Sequence, residues 1–174
     1  MFLIALTVAA PLTAAQPEPA PQVEPAMTVQ IVRDAITGRL SATATLRANG
    51  ERIEIRCRAP RWGDVSVEYH SRRWIARGNF LTGQQPVTYR FDDHAPVRRL
   101  WHVDERVAGF DNPRAVIAFI DGLMGARRLI LRTRDVENRT FDATFAIGET
   151  RPAIAQLLQT CGSARLNPRI LGGE

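Results

Sequence analysis

Residues 52–58, Arg-Ile-Glu-Ile-Arg-Cys-Arg, alternate charged and apolar side chains without a break, and no other stretch limits the fold as strongly. Successive side chains of a strand point to opposite faces, so Ile53, Ile55 and Cys57 belong to a core while Arg52, Glu54, Arg56 and Arg58 face water. Just before this run stands Asn49-Gly50, the pair best suited to a two-residue hairpin turn. On the other side of that turn Leu40, Ala42, Ala44 and Leu46 alternate with Ser41, Thr43 and Thr45. Such a pattern builds antiparallel sheet with one covered face.

The same texture continues along the chain. Val65, Val67 and Tyr69 alternate, and residues 74–76 read as a short strand. Residues 87–92 and 97–103 read as an antiparallel pair about Pro96, 107–110 as a short strand, and 129–133 and 141–147 as two more. Two helices interrupt them. Asn112-Pro113 is an N-cap followed by proline at the first helical position, with Val116, Ile117, Ile120, Leu123 and Met124 at helical spacing. The second begins at Thr150, whose hydroxyl is placed to cap the next amides, and carries Ile154, Leu157, Leu158 and Cys161 on one face before Gly162. The fold class expected is α+β, mainly antiparallel β with about seven to nine short strands, two packed helices and one disulfide.

Residues 1–15 read as a secretory signal peptide. An apolar run from Phe2 to Ala10, too short for the roughly 20 residues of a bilayer span, leads to Thr13 and Ala15 at the positions a signal peptidase prefers, with cleavage after about Ala15. The run lacks the usual Arg or Lys ahead of it; a buried N-terminal strand is the competing reading. Residues 16–26 are a Pro-rich, acidic linker of polyproline II character. A single exported domain then occupies 27–163, followed by a tail at 164–174. The location expected is periplasmic or secreted.

Export makes the two cysteines legible. Cys57 and Cys161 are an even pair in an oxidising compartment, where a disulfide is the default, against a catalytic thiol that would need a nearby base. Both fall on core-facing positions, so the bridge would staple the last helix to an early strand.

All 23 cationic side chains are arginine, which removes Schiff-base and phosphate-loop lysine chemistry. Histidines 70, 94 and 102 show no metalloprotease spacing, and no serine-hydrolase elbow is present. A small envelope hydrolase would have to use His94 or His102 with Asp92 or Asp104, brought together by the hairpin through Pro96, although Asp and His in such a turn also serve backbone hydrogen bonding. Asn138-Arg139-Thr140 matches the N-glycosylation acceptor and suits a turn. Arginines near aromatic residues form the candidate binding surface: Trp62, Trp74, Arg90, Arg98, Arg99, Trp101 and His102. The net charge of +5 would draw such a surface to an anionic envelope polymer, while the many arginines on the outward phase of strands also serve as a solvated face.

Several stretches taken in order resemble a known family: Ile55-Arg56-Cys57, the strand from Val87 to Asp92, the following Trp101, Ala118-Phe119-Ile120, Leu129 to Arg132, Ala143 to Phe145 and Cys161-Gly162. Over residues 40–162 they are similar to the exported proteins typified by the type VI secretion accessory protein TagO or VasI. The two cysteines and Tyr89-Arg90-Phe91-Asp92 are the distinctive part, and the chain departs from the pattern after Cys161. The resemblance implies a periplasmic, disulfide-bonded, non-enzymatic accessory or binding domain with no catalytic residues to carry over.

The function expected is therefore an exported binding module that contacts an envelope protein or anionic envelope polymer, without cofactor, metal, nucleic-acid partner or transmembrane span in the mature chain. An inhibitor of an envelope hydrolase is the runner-up, and the hydrolase using His94 or His102 is the third reading.

Overall fold

The computed structural model describes residues 27–58, 65–79 and 81–162; the segments read as signal peptide, Pro-rich linker and tail, and Trp62, lie outside them. The elements are β1 (Thr28–Arg33), β2 (Leu40–Ala48), β3 (Glu51–Arg58), β4 (Ser66–His70), β5 (Gln84–Phe91), β6 (Val97–Asp104), β7 (Val107–Phe110), α1 (Pro113–Gly125), β8 (Arg128–Arg134), β9 (Thr140–Ala146) and α2 (Arg151–Thr160). The described strands form one antiparallel sheet of nine, in the order β1-β2-β3-β4-β7-β6-β5-β8-β9. The fold is thus α+β and mainly β, as the periodicity predicts.

Local chemistry explains most boundaries. Asn49 and Gly50 take φ of 50° and 79°, the left-handed pair a two-residue hairpin needs, and they pin Ala48 opposite Glu51. Residues 74–76 differ from expectation: Ile75 makes only a single bridge, to Asp135. Strand β1 was not singled out from the sequence, because it is an edge strand whose side chains are mostly exposed and whose run Thr-Val-Gln-Ile-Val-Arg carries no clean alternation.

The inward phase supplies the core. Ile53, Ile55, Val67, Tyr69, Val87, Leu129, Leu131 and Phe145 are fully buried. Twist accumulates across the nine strands until β2 touches β9, and the Tyr69 ring meets Phe145 edge-on at 6.3 Å. Helix α1 closes this curved interior. The Asn112 side chain accepts a hydrogen bond from the Ala115 amide at 3.2 Å, and Phe119 seats among Tyr89, Phe91, Trp101 and Phe110 at centroid distances of 5.2 to 6.4 Å. Gly122 lets the helix come this close: a β-carbon there would sit 2.5 Å from the Phe91 ring.

Helix α2 packs on β1 and β2, burying Ile154, Leu157 and Leu158. Thr150 does not cap its own helix with its side chain as the sequence suggests. Its hydroxyl is buried and donates instead to the Leu123 carbonyl at 3.4 Å, tying the start of α2 to the last turn of α1. At the other end Cys161 is bonded to Cys57 of β3 across a Cα separation of 6.0 Å, within the range an ordinary disulfide spans. No helix among the described residues is long and apolar enough to cross a membrane.

Candidate functional site

Both helices lie against the inward phase, so the outward phase of the sheet is where polar chemistry collects. Register places its residues in rows. One row runs Glu54, Glu68, Gly109, His102 and Gln84 across β3, β4, β7, β6 and β5; the next runs Arg52, His70, Val107 and Asp104. Strand β7 offers only Val107 and Gly109 to this face, between strands that carry long side chains. The result is a trough along β7 of about 530 Å³, walled by Glu68 and His70 on one side and by His102 and Asp104 on the other, with Asp111 at its end. Gly109 is the floor because a β-carbon there would stand 2.9 Å from the Val67 carbonyl oxygen and 3.2 Å from Glu68 Cγ.

Beside the trough lies an ion-pair network. Glu54, expected to face water, is only 6% exposed, because Arg52 and Arg56 fold over it with Nε to carboxylate distances of 2.5 and 2.8 Å. Arg56 also reaches Glu68 at 3.3 Å. His70 Nδ1 lies 3.0 Å from the Arg52 guanidinium, and since a guanidinium only donates, Nδ1 accepts and Nε2 carries the proton. That N–H points at Glu54 and Glu68, each at 3.2 Å. Burial pushes the Glu54 carboxyl upward in pKa, but hydrogen bonds from Arg52 and Arg56 outweigh it and hold it below the usual range. Burial is the main cause that lowers His70, aided by Arg52 and Arg56, against the opposing pull of Glu54 and Glu68.

Glu54, Glu68 and His70 bring one ligand atom each within 4.8 Å of one another, a spacing that would admit a metal. The surroundings do not suit one. A metal on Nε2 needs the proton moved to Nδ1, where Arg52 already donates, and the two arginines already neutralise both carboxylates. The cluster is a closed salt-bridge network.

The residues expected at the site are dispersed. His94 sits in the turn after β5, whereas His102 pairs with Gln84 at the far end of that hairpin. Five residues of β6 separate Val97 from His102, roughly 17 Å at about 3.4 Å per residue, so the hairpin does not bring His94 and His102 together. Asp92 serves the backbone: at φ of 44° its carboxylate accepts from the Arg127 and Arg128 amides at 2.8 to 3.2 Å. Of the alternatives, His102 and Asp104 both line the trough.

Trp101 is not on the surface. It is fully buried with its ring 4.8 Å from Phe110, because it shares the inward phase with Gln85 opposite, and its indole N–H finds no acceptor among the described residues. Arg98 and Arg90 do share the outward face of β6 and β5: Arg98 of β6 and Arg132 of β8 lie opposite Thr88 on its two sides, Arg90 stands two residues along β5, and Asp142 grips Arg132 with two bonds of 2.7 Å. Arg99 is exposed opposite Val87. Asn138 takes a left-handed φ of 63° in the β8–β9 turn and accepts from Arg134.

Trp74 stands apart, 45% exposed, with the Arg106 guanidinium 5.1 Å above its ring. It lines a hollow of about 330 Å³ with Ala76, Arg77, Glu105 and the 60% exposed Val136. A second hollow of about 410 Å³ shares Ala76 and Arg77 and is edged by Leu100, also 60% exposed. Exposed Trp74, Val136 and Leu100 thus fall in adjoining hollows, which sequence periodicity does not reveal because they come from three separate segments.

Fold and surface together define a class: a disulfide-stapled, mainly antiparallel α+β domain with both helices on the inner side of a curved sheet. No family model matches the chain, and no curated protein matches it in sequence. Its fold is similar to the crystal structure of invasion associated protein B from Bartonella henselae, at a TM-score of 0.53 and 10% identity over 79% of this chain and 94% of that one. At that identity the likeness is one of fold.

Proposed function

We propose that this chain is an exported binding domain that holds an envelope protein through the hollow around Trp74. The observation that carries the reading is the half-exposed Trp74 ring under Arg106, beside Val136 and the Leu100 hollow. Tryptophan and arginine are the residues that most often anchor protein interfaces, and an exposed apolar patch in a charged surface marks a contact site. Arg77, Arg106 and Arg134 around it, against Glu105, favour an acidic partner surface. Export rests on the N-terminal apolar segment and is consistent with the Cys57–Cys161 disulfide.

A type VI secretion component, in line with the family resemblance, and an envelope hydrolase held by an inhibitor are both partners of this kind. A second reading, binding of an anionic envelope polymer, is favoured by Arg98, opposite Thr88, and Arg90, two residues along from it, with no carboxylate paired to either among the described residues.

The test uses the full chain produced in cells. Fractionation should place it outside the cytoplasm, and crosslinking there should capture a defined protein that Trp74→Ala loses at least tenfold while Arg90→Ala and Arg98→Ala retain it. Capture unchanged by Trp74→Ala would overturn the reading. Sedimentation with isolated envelope polymer that Arg90→Ala and Arg98→Ala abolish would establish the second.

A further inference from the structure

Strand β1 ends the sheet with its outer side open. Register fixes which of its backbone groups point that way. At the β1–β2 turn the Asp34 amide donates to the Arg39 carbonyl at 2.8 Å and the Gly38 amide to the Asp34 carbonyl at 2.9 Å, so Asp34 bonds to β2. Bonded pairs recur at every second position of an antiparallel ladder, which makes Val32–Ser41, Gln30–Thr43 and Thr28–Thr45 the others. The Asn49-Gly50 turn agrees independently: with Ala48–Glu51 bonded across it, Leu46, Ala44 and Ala42 bond to β3 and leave Thr45, Thr43 and Ser41 for β1. The N–H and C=O groups of Val29, Ile31 and Arg33 therefore face off the edge, and none of them has a hydrogen-bond partner among the described residues.

The sheet's other edge is blunted. Strand β9 lies against β2 and carries Asp142, whereas β1 has no proline and no charge before its last residue. The apolar side chains of β1 are open on both faces: Ile31, on the inward phase opposite Ala42, is 41% exposed, and Val32, on the outward phase opposite Ser41, is 48% exposed. A flat partner surface covers one face of a strand. A second strand laid along the edge covers both and takes up the free backbone groups as well.

The strand is its own complement. Its edge-facing residues are centred on Ile31, so a copy of β1 turned about a two-fold axis through Ile31 pairs Val29 with Arg33, Ile31 with Ile31 and Arg33 with Val29, all three of them bonded positions. The two Arg33 charges then stay about 13 Å apart, four residues at roughly 3.3 Å each, beyond the ~8 Å over which charge acts at physiological salt. Moving the axis to Val32 leaves two bonded pairs within β1 and brings the arginines to about 7 Å, two residues along.

We propose that a second copy of this chain docks on this edge, β1 against β1 in antiparallel register about Ile31, forming a closed two-fold dimer with one continuous sheet. The contact is small and belongs to the weak, transient class. It shares no residue with the Trp74 hollow, so the two readings stand or fall separately.

Sedimentation equilibrium of the full chain should show monomer passing to dimer, and nothing larger, as concentration rises about a hundredfold. Ile31→Asp and Ile31→Arg each set two like charges face to face on the axis and should weaken the dimer at least about tenfold, while an equal mixture of the two variants should regain it. Both variants should melt like the wild type at the dilute end. In the wild type, hydrogen exchange of the Val29, Ile31 and Arg33 amides should slow on dimerisation, while the Gln30 and Val32 amides are protected at every concentration. A monomer throughout, growth past the dimer, a dimer that survives in both variants, a mixture that stays monomeric, or exchange at those three amides that ignores concentration would each overturn the proposal.

Discussion

Glu54 and His70 illustrate how a polar residue on the outward phase of a strand becomes interior. Alternation puts Glu54 on the solvent side, yet Arg52 and Arg56, two positions away on the same side, and His70 on the next strand close over it. Both groups titrate low in the folded chain. For each, the unfolded state binds protons more readily, so the stability they contribute is complete above the unfolded pKa and is lost as pH falls through the folded one. The His70 part begins near its ordinary value of about 6.5. Thermal melting should therefore drop as pH goes from 7.5 to 5.5, and His70→Gln should flatten that slope; an unchanged slope would remove His70 from the account. The Arg-x-Glu-x-Arg and Glu-x-His spacings were present in the sequence as same-face pairs, but which strand lies beside which is not written in them.

At the scale of the element, caps and turns were the readable features. Asn112 caps α1 as its position before proline suggests, and its replacement by Ala should lower stability by about 1 kcal/mol in a denaturant titration, within the 0.5–2 kcal/mol typical of such caps. Thr150 shows the opposite case. Thr150→Val should cost a comparable amount, although the hydroxyl caps nothing, because it leaves the buried Leu123 carbonyl without that partner. A local rule assigned the hydroxyl to its own helix. The alternative acceptor became available only when α1 ended beside it. Trp101 was misplaced for a related reason: within Arg98-Arg99-Leu100-Trp101-His102 charged and apolar residues fall on both phases, and pairing of Trp101 with Gln85 decides which side is inward.

For the whole molecule, the Cys57–Cys161 bond closes a loop of 104 residues and joins α2 to β3, two elements from opposite ends of the domain. Reduction should lower unfolding stability by about 2–5 kcal/mol, the usual range for a native disulfide, measured by melting with and without reductant. No change would mean that burial of Ile154, Leu157 and Leu158 holds α2 unaided. Period-two patterning, turn chemistry and cysteine number are local or compositional properties, and they make the fold class, the inward residues of the alternating strands and the cysteine pair legible in the residues alone. That β7 comes between β4 and β6, that Gly109 opens a trough there, that His94 and His102 lie at opposite ends of a hairpin, and that Trp74, Leu100 and Val136 line adjoining hollows are set by long-range packing. Strand order and sheet curvature arise from contacts between distant segments, and a site built on them exists only after those contacts form.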